Sequence, residues 1–297
     1  MRVSSETLFR SATGALQGHN GTLVQLQEQI GSGRRFHHAH EAPAAATSVM
    51  EWEAAQARIA AQAGGADRVQ HRLGMTEAAL DDAQVMIDRV REQLLSGRSD
   101  TRSDSDRILL ADEVAGLARD WLQLANRDNG SGEALFAGTG LGAAFDANGG
   151  YLGSTVARQV EVADGQQLPD GLTGDRVFGD ASGQDSFAWL AAAEAALRDT
   201  DPATRHAALD AALAGIDAVA ENLSRARTDT GNRLNALDRA ATWREGADAQ
   251  LSLALSRLRD TDLIETATEL AQTSAQQSAA QTAYLQISSL SLFDRLR

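Results

Sequence analysis

The sequence predicts a mainly α-helical chain with a small β insertion. Its N- and C-terminal halves form a long antiparallel coiled-coil helical rod, and a glycine-rich β domain is inserted between them. Three observations predict this. Apolar residues recur every seven positions through one long stretch in each half. Only 3 prolines interrupt 297 residues, so helices can run far without a break. Half of the 26 glycines fall between residues 130 and 186, where the heptads stop.

The N-terminal segment, residues 1–45, opens with Phe9, Leu16, Leu23 and Ile30 seven apart, and Ala12, His19 and Leu26 stand between them. That spacing is one seam of a coiled coil, too short to hold a helix by itself. Residues 46–130 carry the strongest heptad: Trp52, Ile59, Ala66, Leu73, Leu80, Ile87 and Leu94. Ala55, Gln62, Val69, Thr76, Ala83 and Val90 fill the intervening seam positions. At about 1.5 Å per residue this helix would run roughly 64 Å, and Gly64-Gly65 is its expected weak point. A shorter helix follows, with Leu110, Val114, Leu117, Trp121 and Leu124 on one face; Asp104 or Ser105 is its expected cap, and Asn129-Gly130 its end.

Residues 131–186 read as the strand-and-turn segment. Val156, Arg158, Val160 and Val162 alternate, and turns recur at Gly149-Gly150, Asp164-Gly165 and Asp170-Gly171. Residues 187–260 resume the helix. Asp201 caps it and Pro202 takes its first turn, and Leu209, Leu213, Ile216, Ala220, Leu223, Leu234, Leu237, Leu251, Leu255 and Leu258 follow in register. Arg227, Thr230, Arg244 and Asp248 interrupt that seam, as residues that fix register or partner do at some cost in stability. In the last segment, residues 261–297, Leu285 and Leu292 keep the seven-residue step, yet the run from Ala271 to Ala283 is nearly all Gln, Ser, Thr and Ala. Both ends are therefore expected to be conditional helices, with an assembly seam of Phe9, Leu16, Leu23, Ile30, Leu285 and Leu292.

Composition narrows the function. The formal charge is −14 and every basic residue is arginine, which opposes broad binding to nucleic acid. No run reaches the roughly 18 apolar residues of a membrane span, and the start lacks the basic-then-apolar pattern of a cleaved signal peptide. No cysteine is present, so a thiol nucleophile, a disulfide and a thiolate metal site are all excluded. His37, His38 and His40 could suit zinc or nickel, but no partner stands at helical spacing and a solvated loop is the preferred reading. Gly138-Thr139-Gly140-Leu141-Gly142 lacks the Gly-Lys-Ser/Thr of a phosphate loop. Acidic pairs such as Asp81-Asp82 lie on helix surfaces, and the tryptophans belong to seams or junctions. No catalytic, cofactor or metal site is predicted. The chain is not read as an enzyme.

Several runs resemble the bacterial flagellin family. Ile30-Gly31-Ser32-Gly33-Arg34-Arg35, followed at Pro43 by Ala44-Ala45-Ala46, resembles its N-terminal signature. Ala42 stands where a second acid after Glu41 is expected, which removes a helix cap before Pro43. Gly132-Glu133-Ala134-Leu135-Phe136-Ala137-Gly138 resembles the passage into the family's outer domain. Arg227, Gly231, Asn232, Arg233, Leu234, Asn235 and Leu237, then Asp260-Thr261-Asp262, resemble the C-terminal helix signature. The opening Met1-Arg2-Val3-Ser4-Ser5 and the close Leu290-Ser291-Leu292-Phe293 look more like a hook–filament junction member than a filament flagellin.

The resemblance implies a secreted structural subunit, exported unfolded by the flagellar type III apparatus, that joins hook to filament. Residues 1–45 and 261–297 would then be the assembly segments, the first also serving export, and residues 131–186 would face outward. The implied partners are further copies in a ring, a neighbouring hook-associated protein, flagellin, and a cytoplasmic export chaperone. No nucleic acid, membrane or cofactor is implied. A filament subunit is the near alternative. A cytoplasmic coiled-coil signalling or adaptor protein, such as part of a chemoreceptor, is the distant one, and the inserted glycine-rich segment argues against it.

Overall fold

The structure, a computed structural model, describes residues 5–179 and 186–295. Side chains of residues 5, 6, 8, 9 and 287–295 lie outside that description. The elements run α1 (Ser5–Ser32), α2 (Pro43–Gly97), α3 (Asp104–Ala125), β1 (Gln159–Ala163), β2 (Gln166–Pro169), α4 (Gly174–Phe178), α5 (Ser186–Arg198), α6 (Pro202–Arg259) and α7 (Leu263–Arg295). The chain is mainly helical, with one two-stranded antiparallel sheet among the described residues. It forms two compact units, one of residues 58–246 and one of residues 1–57 with 247–297.

In the unit of residues 58–246 the heptads become the core. Val69, Leu73, Leu80, Ile87, Val90 and Leu94 of α2 are fully buried, as are Leu209, Ile216, Val219 and Leu223 of α6. Cross-helix ion pairs give the direction. Asp81 meets Arg227, Arg91 meets Asp217 and Arg98 meets Asp210, so rising numbers on α2 match falling numbers on α6. The helices are antiparallel. The polar seam residues have local reasons. Thr76 and Thr230 are fully buried and donate to the carbonyls of Arg72 and Ala226, both at 2.9 Å, so no hydroxyl is left without an acceptor. Arg227 turns out of the seam to reach Asp81 at 2.6 Å.

Helix α2 runs unbroken through Gly64-Gly65, and Gly65 has a packing reason. A Cβ there would stand 3.2 Å from Val160 Cγ1 and 3.3 Å from the Glu161 carbonyl oxygen, so its absence lets β1 lie against the helix. The cap of α3 falls one residue before the expected pair. Ser103 accepts from the Asp106 N–H at 3.2 Å and Asp106 accepts from the Ser103 N–H at 3.3 Å, a reciprocal pair that neither Asp104 nor Ser105 could close. Helices α3 and α5 pack together, and Trp121 is buried with its indole N–H on Ser186 Oγ at 2.7 Å.

Three helix arginines hold the inserted segment through its backbone. Arg72 donates to the carbonyls of Ala134 and Leu135 at 3.0 and 3.1 Å and to the Glu133 carboxylate at 3.3 Å. Arg233 donates to Gly171 O at 2.6 Å, and Arg244, buried in the seam, donates to Val162 O. A guanidinium can serve several carbonyls at once, as that of Arg72 does.

Asp170 sits in the same cluster, 4.0 Å from Arg72 and 3.8 Å from Arg158. Burial pushes its carboxyl above the usual range, more than those two cations pull it down. A carboxyl raised by folding adds stability below its ordinary value of about 3.9 and loses that contribution as pH rises through the raised value. Asp170→Asn should therefore flatten the pH dependence of the melting temperature just above pH 4 or so, where the wild type loses this contribution. Thermal melts across that range check it. An unchanged pH profile would show that Asp170 titrates as in water.

Candidate functional site

The unit of residues 1–57 and 247–297 brings the two chain ends together. Helices α1 and α7 pack against each other, tied at one point by Gln277 Nε2 donating to Asn20 Oδ1 at 2.8 Å. Ala12, Leu16, His19, Leu23, Leu26 and Ile30 of α1 follow one another in alternating steps of four and three and are less exposed than most of the helix, as are Thr13 and Gln29 beside them; Leu26 is only 5% exposed. The less exposed positions of α7 are Thr266, Leu270, Thr273, Gln277, Ala280 and Tyr284, in the same alternation. A coiled-coil seam thus runs through the segment whose composition is almost wholly polar.

Leu16, Leu23 and Ile30 are half-buried on α1. Leu285 lies one residue outside the α7 row and is 65% exposed. Phe9 and Leu292 belong to α1 and α7, and their side chains lie outside the described residues. The structure therefore separates the sequence-derived seam into residues turned inward on α1 and a leucine turned outward on α7. Sequence reasoning missed Thr266 and Thr273, each 6% exposed, because an apolar-only search passes over threonine. Their seven-residue spacing is the signal that could have found them.

Two of the sequence signatures meet at the base of this pair. Gly33 ends α1 at φ +70°, a conformation that costs L side chains energy, and its N–H bonds back to Gln29 O at 2.8 Å. From there Thr261 N–H donates to Gly33 O at 3.0 Å and Arg35 N–H donates to Arg259 O at 2.7 Å, which makes an antiparallel bridge between Arg34 and Asp260. Asp262 then caps α7, accepting from Ile264 and Glu265 N–H at 2.9 and 3.2 Å. The two loops are pinned backbone to backbone, so the motif residues act through turn geometry rather than through reactive groups.

The expected loss of a cap before α2 is real in form. The Ala42 carbonyl begins the helix by accepting from Ala46 N–H at 2.9 Å, with no side chain beside it. Glu41 is engaged instead by His37 N–H at 3.1 Å, and that bond, with the charges of His38 and His40, holds its carboxyl below the usual range. His37, His38 and His40 are exposed, and the rings of His38 and His40 stack with centroids 5.4 Å apart. Among the described residues no group of His, Asp or Glu is arranged to hold a metal. No described helix is long and apolar enough to cross a membrane.

Comparison with known proteins gives consistent matches. Residues 3–140 match the bacterial flagellin N-terminal helical region. The flagellar hook-associated protein 3 of Escherichia coli strain K12 is 26% identical in an alignment of 315 positions that covers 99% of each chain. Its namesake from Salmonella typhimurium is 25% identical over the same extent. Among solved structures, a putative flagellar hook-associated protein from Vibrio parahaemolyticus superposes with a TM-score of 0.69 at 23% identity, covering 74% of this chain and all of that one, which is a likeness of fold. With the signature turns in place at both ends, the chain is similar to flagellar hook-associated proteins along its whole length and to the bacterial flagellin N-terminal helical region over residues 3–140.

Proposed function

We propose that this chain is a structural subunit of the flagellum that joins the hook to the filament and polymerises through its terminal helices. The observation that carries the reading is full-length similarity to two proteins named for the hook-associated role, rather than to the helical ends alone. The paired helices α1 and α7 supply the assembly segments, Phe9, Leu16, Leu23, Ile30, Leu285 and Leu292 the seam, and residues 131–186 the outward-facing domain. Partners are further copies in a ring, a neighbouring hook-associated protein and flagellin, with an export chaperone holding the C-terminal segment beforehand. The location is the extracellular flagellum. An acidic surface and short pinned turns suit a packing subunit, and nothing in the chemistry of the sites calls for a substrate.

Deleting the gene is the test. Cells should carry hooks without filaments while flagellin accumulates in the medium, seen by electron microscopy and by immunoblot of the culture supernatant. Filaments of normal length on the deletion strain would sink the assignment.

A further inference from the structure

Asparagine is chemically labile, most of all before glycine, whose missing Cβ leaves the next backbone nitrogen unshielded. The chain has three such pairs: Asn20-Gly21, Asn129-Gly130 and Asn148-Gly149. The first lies inside α1. The other two lie outside helices and strands in the unit of residues 58–246, and their glycines share positive φ, +80° at Gly130 and +86° at Gly149. Both glycine N–H groups are also hydrogen-bonded. Gly130 donates to Asp128 Oδ1 at 2.8 Å and Gly149 to Asp146 O at 3.1 Å. The two backbones are thus closely matched, and the two asparagine side chains are not.

Asn129 is half-buried and both ends of its amide are engaged. Its Oδ1 accepts from Ser131 N–H, Ser131 Oγ and Glu133 N–H at 3.0, 2.7 and 3.3 Å, and its Nδ2 donates to Glu133 Oε2 at 3.4 Å. Asn148 is exposed, and its side-chain amide has no hydrogen bond among the described residues. What holds that turn is Asp146, whose Oδ1 accepts from Asn148 N–H and Gly150 N–H, both at 2.8 Å.

We propose that Asn148 is a site of spontaneous deamidation, with the Asp146 turn as its brake. The Gly149 nitrogen gives its proton to hydroxide and attacks Asn148 Cγ, an intramolecular step favoured by proximity. The new N–Cγ bond closes a ring, the Cγ–Nδ2 bond breaks, and ammonia leaves with a proton taken from water, which returns the hydroxide. A second water opens the succinimide at either carbonyl and leaves aspartate or isoaspartate. Overall one water is consumed, one ammonia is released and one carboxylate is gained. The attack requires Gly149 N–H to leave Asp146 O, so the turn must open first. Isoaspartate also lengthens the main chain by a methylene, and the packing there has no slack: a Cβ on Gly149 would stand 2.5 Å from Phe187 Cγ. Phe187 in turn packs on Phe145 with ring centroids 5.2 Å apart, so the modification reaches the aromatic residues of the insertion.

The test incubates the purified full chain in warm, mildly alkaline buffer and follows the peptides around Asn129 and Asn148 by mass spectrometry. In the native protein Asn148 should convert roughly tenfold faster than Asn129, the scale of the hydrogen bonds that Asn129 must break first. In concentrated urea the two rates should converge, because the folded structure is what separates them. Asp146→Ala, with its circular dichroism unchanged, should speed conversion at Asn148 several-fold and leave Asn129 as it was. Native conversion of Asn129 as fast as that of Asn148 overturns the proposal. So does an Asn148 that stays intact over the time in which the unfolded chain converts, or an Asp146→Ala variant that folds and converts at the wild-type rate. The comparison of the two asparagines in the wild type decides the site even where the Asp146 variant fails to fold.

Discussion

Phe178→Ala should lower the stability of the unit of residues 58–246 by about 3–5 kcal/mol, the range for truncating a buried aromatic. Phe178 is 1% exposed and stands at the centre of the aromatic cluster. Trp121, Phe136 and Phe145 each meet its ring edge-to-face, with centroids 5.4, 5.0 and 5.4 Å away, and Phe187 lies at 6.5 Å. Edge-to-face pairs add roughly 0.5–1.5 kcal/mol each beyond the area they bury, so three at once make this ring the costliest to remove. The cluster joins α3, the turn after it, α4 and α5, and truncation should loosen all four together. Urea unfolding followed by tryptophan fluorescence measures it, since Trp121 touches the vacated space. Phe178→Leu, which keeps most of the volume, should cost clearly less. A loss below about 1 kcal/mol for the alanine variant would mean that the insertion is not part of the cooperative unit.

The sequence showed the helices far better than it showed the insertion. Heptads are local and repetitive, so Leu73, Leu80, Ile87 and Leu94 could be placed in one buried seam from spacing alone, and all four are fully buried. The aromatic cluster was invisible for the opposite reason. Phe136, Phe145, Phe178 and Trp121 come from separate turns and helices with no shared period, and only the tertiary fold brings them together. Polar seam residues fell in between. Arg227 and Arg244 could be seen to break the pattern, but what each binds depends on chain far away: Asp81 for the first and the Val162 carbonyl for the second.

At the chain ends the same logic explains a half-legible site. The α1 row was readable because leucine and isoleucine mark it. The α7 row was not, because Thr266 and Thr273 are buried where a coiled coil would ordinarily carry aliphatic residues. A seam of small and polar groups stabilises only weakly, since little apolar surface leaves water. The α1–α7 pair is therefore a marginal assembly on its own. Leu285, outside that row, is an apolar residue left 65% exposed.

Leu285→Asp combined with Leu292→Asp should disable assembly while leaving the free protein nearly as stable as before. Leu285 is already 65% exposed, so a carboxylate there is solvated and costs the monomer little. Leu292 stands seven residues on, the same position in the repeat. The fully buried seam that supplies most of the unfolding free energy lies in the other unit and is untouched by either change. In the assembled junction both positions would face neighbouring helices, where a carboxylate without a partner costs several kcal/mol. Two such sites in every copy multiply around a ring, so the phenotype should be nearly complete: hooks without filaments, with flagellin lost to the medium. The melting temperature should move by only a few degrees, because a change of about 1 kcal/mol shifts a unit of this size by roughly 2–4 °C. Export must be followed in parallel by immunoblot of the culture medium, since the same segment is proposed to bind the chaperone. A variant that is exported, folds and still supports filaments of normal length would show that the terminal seam is not what holds the junction together.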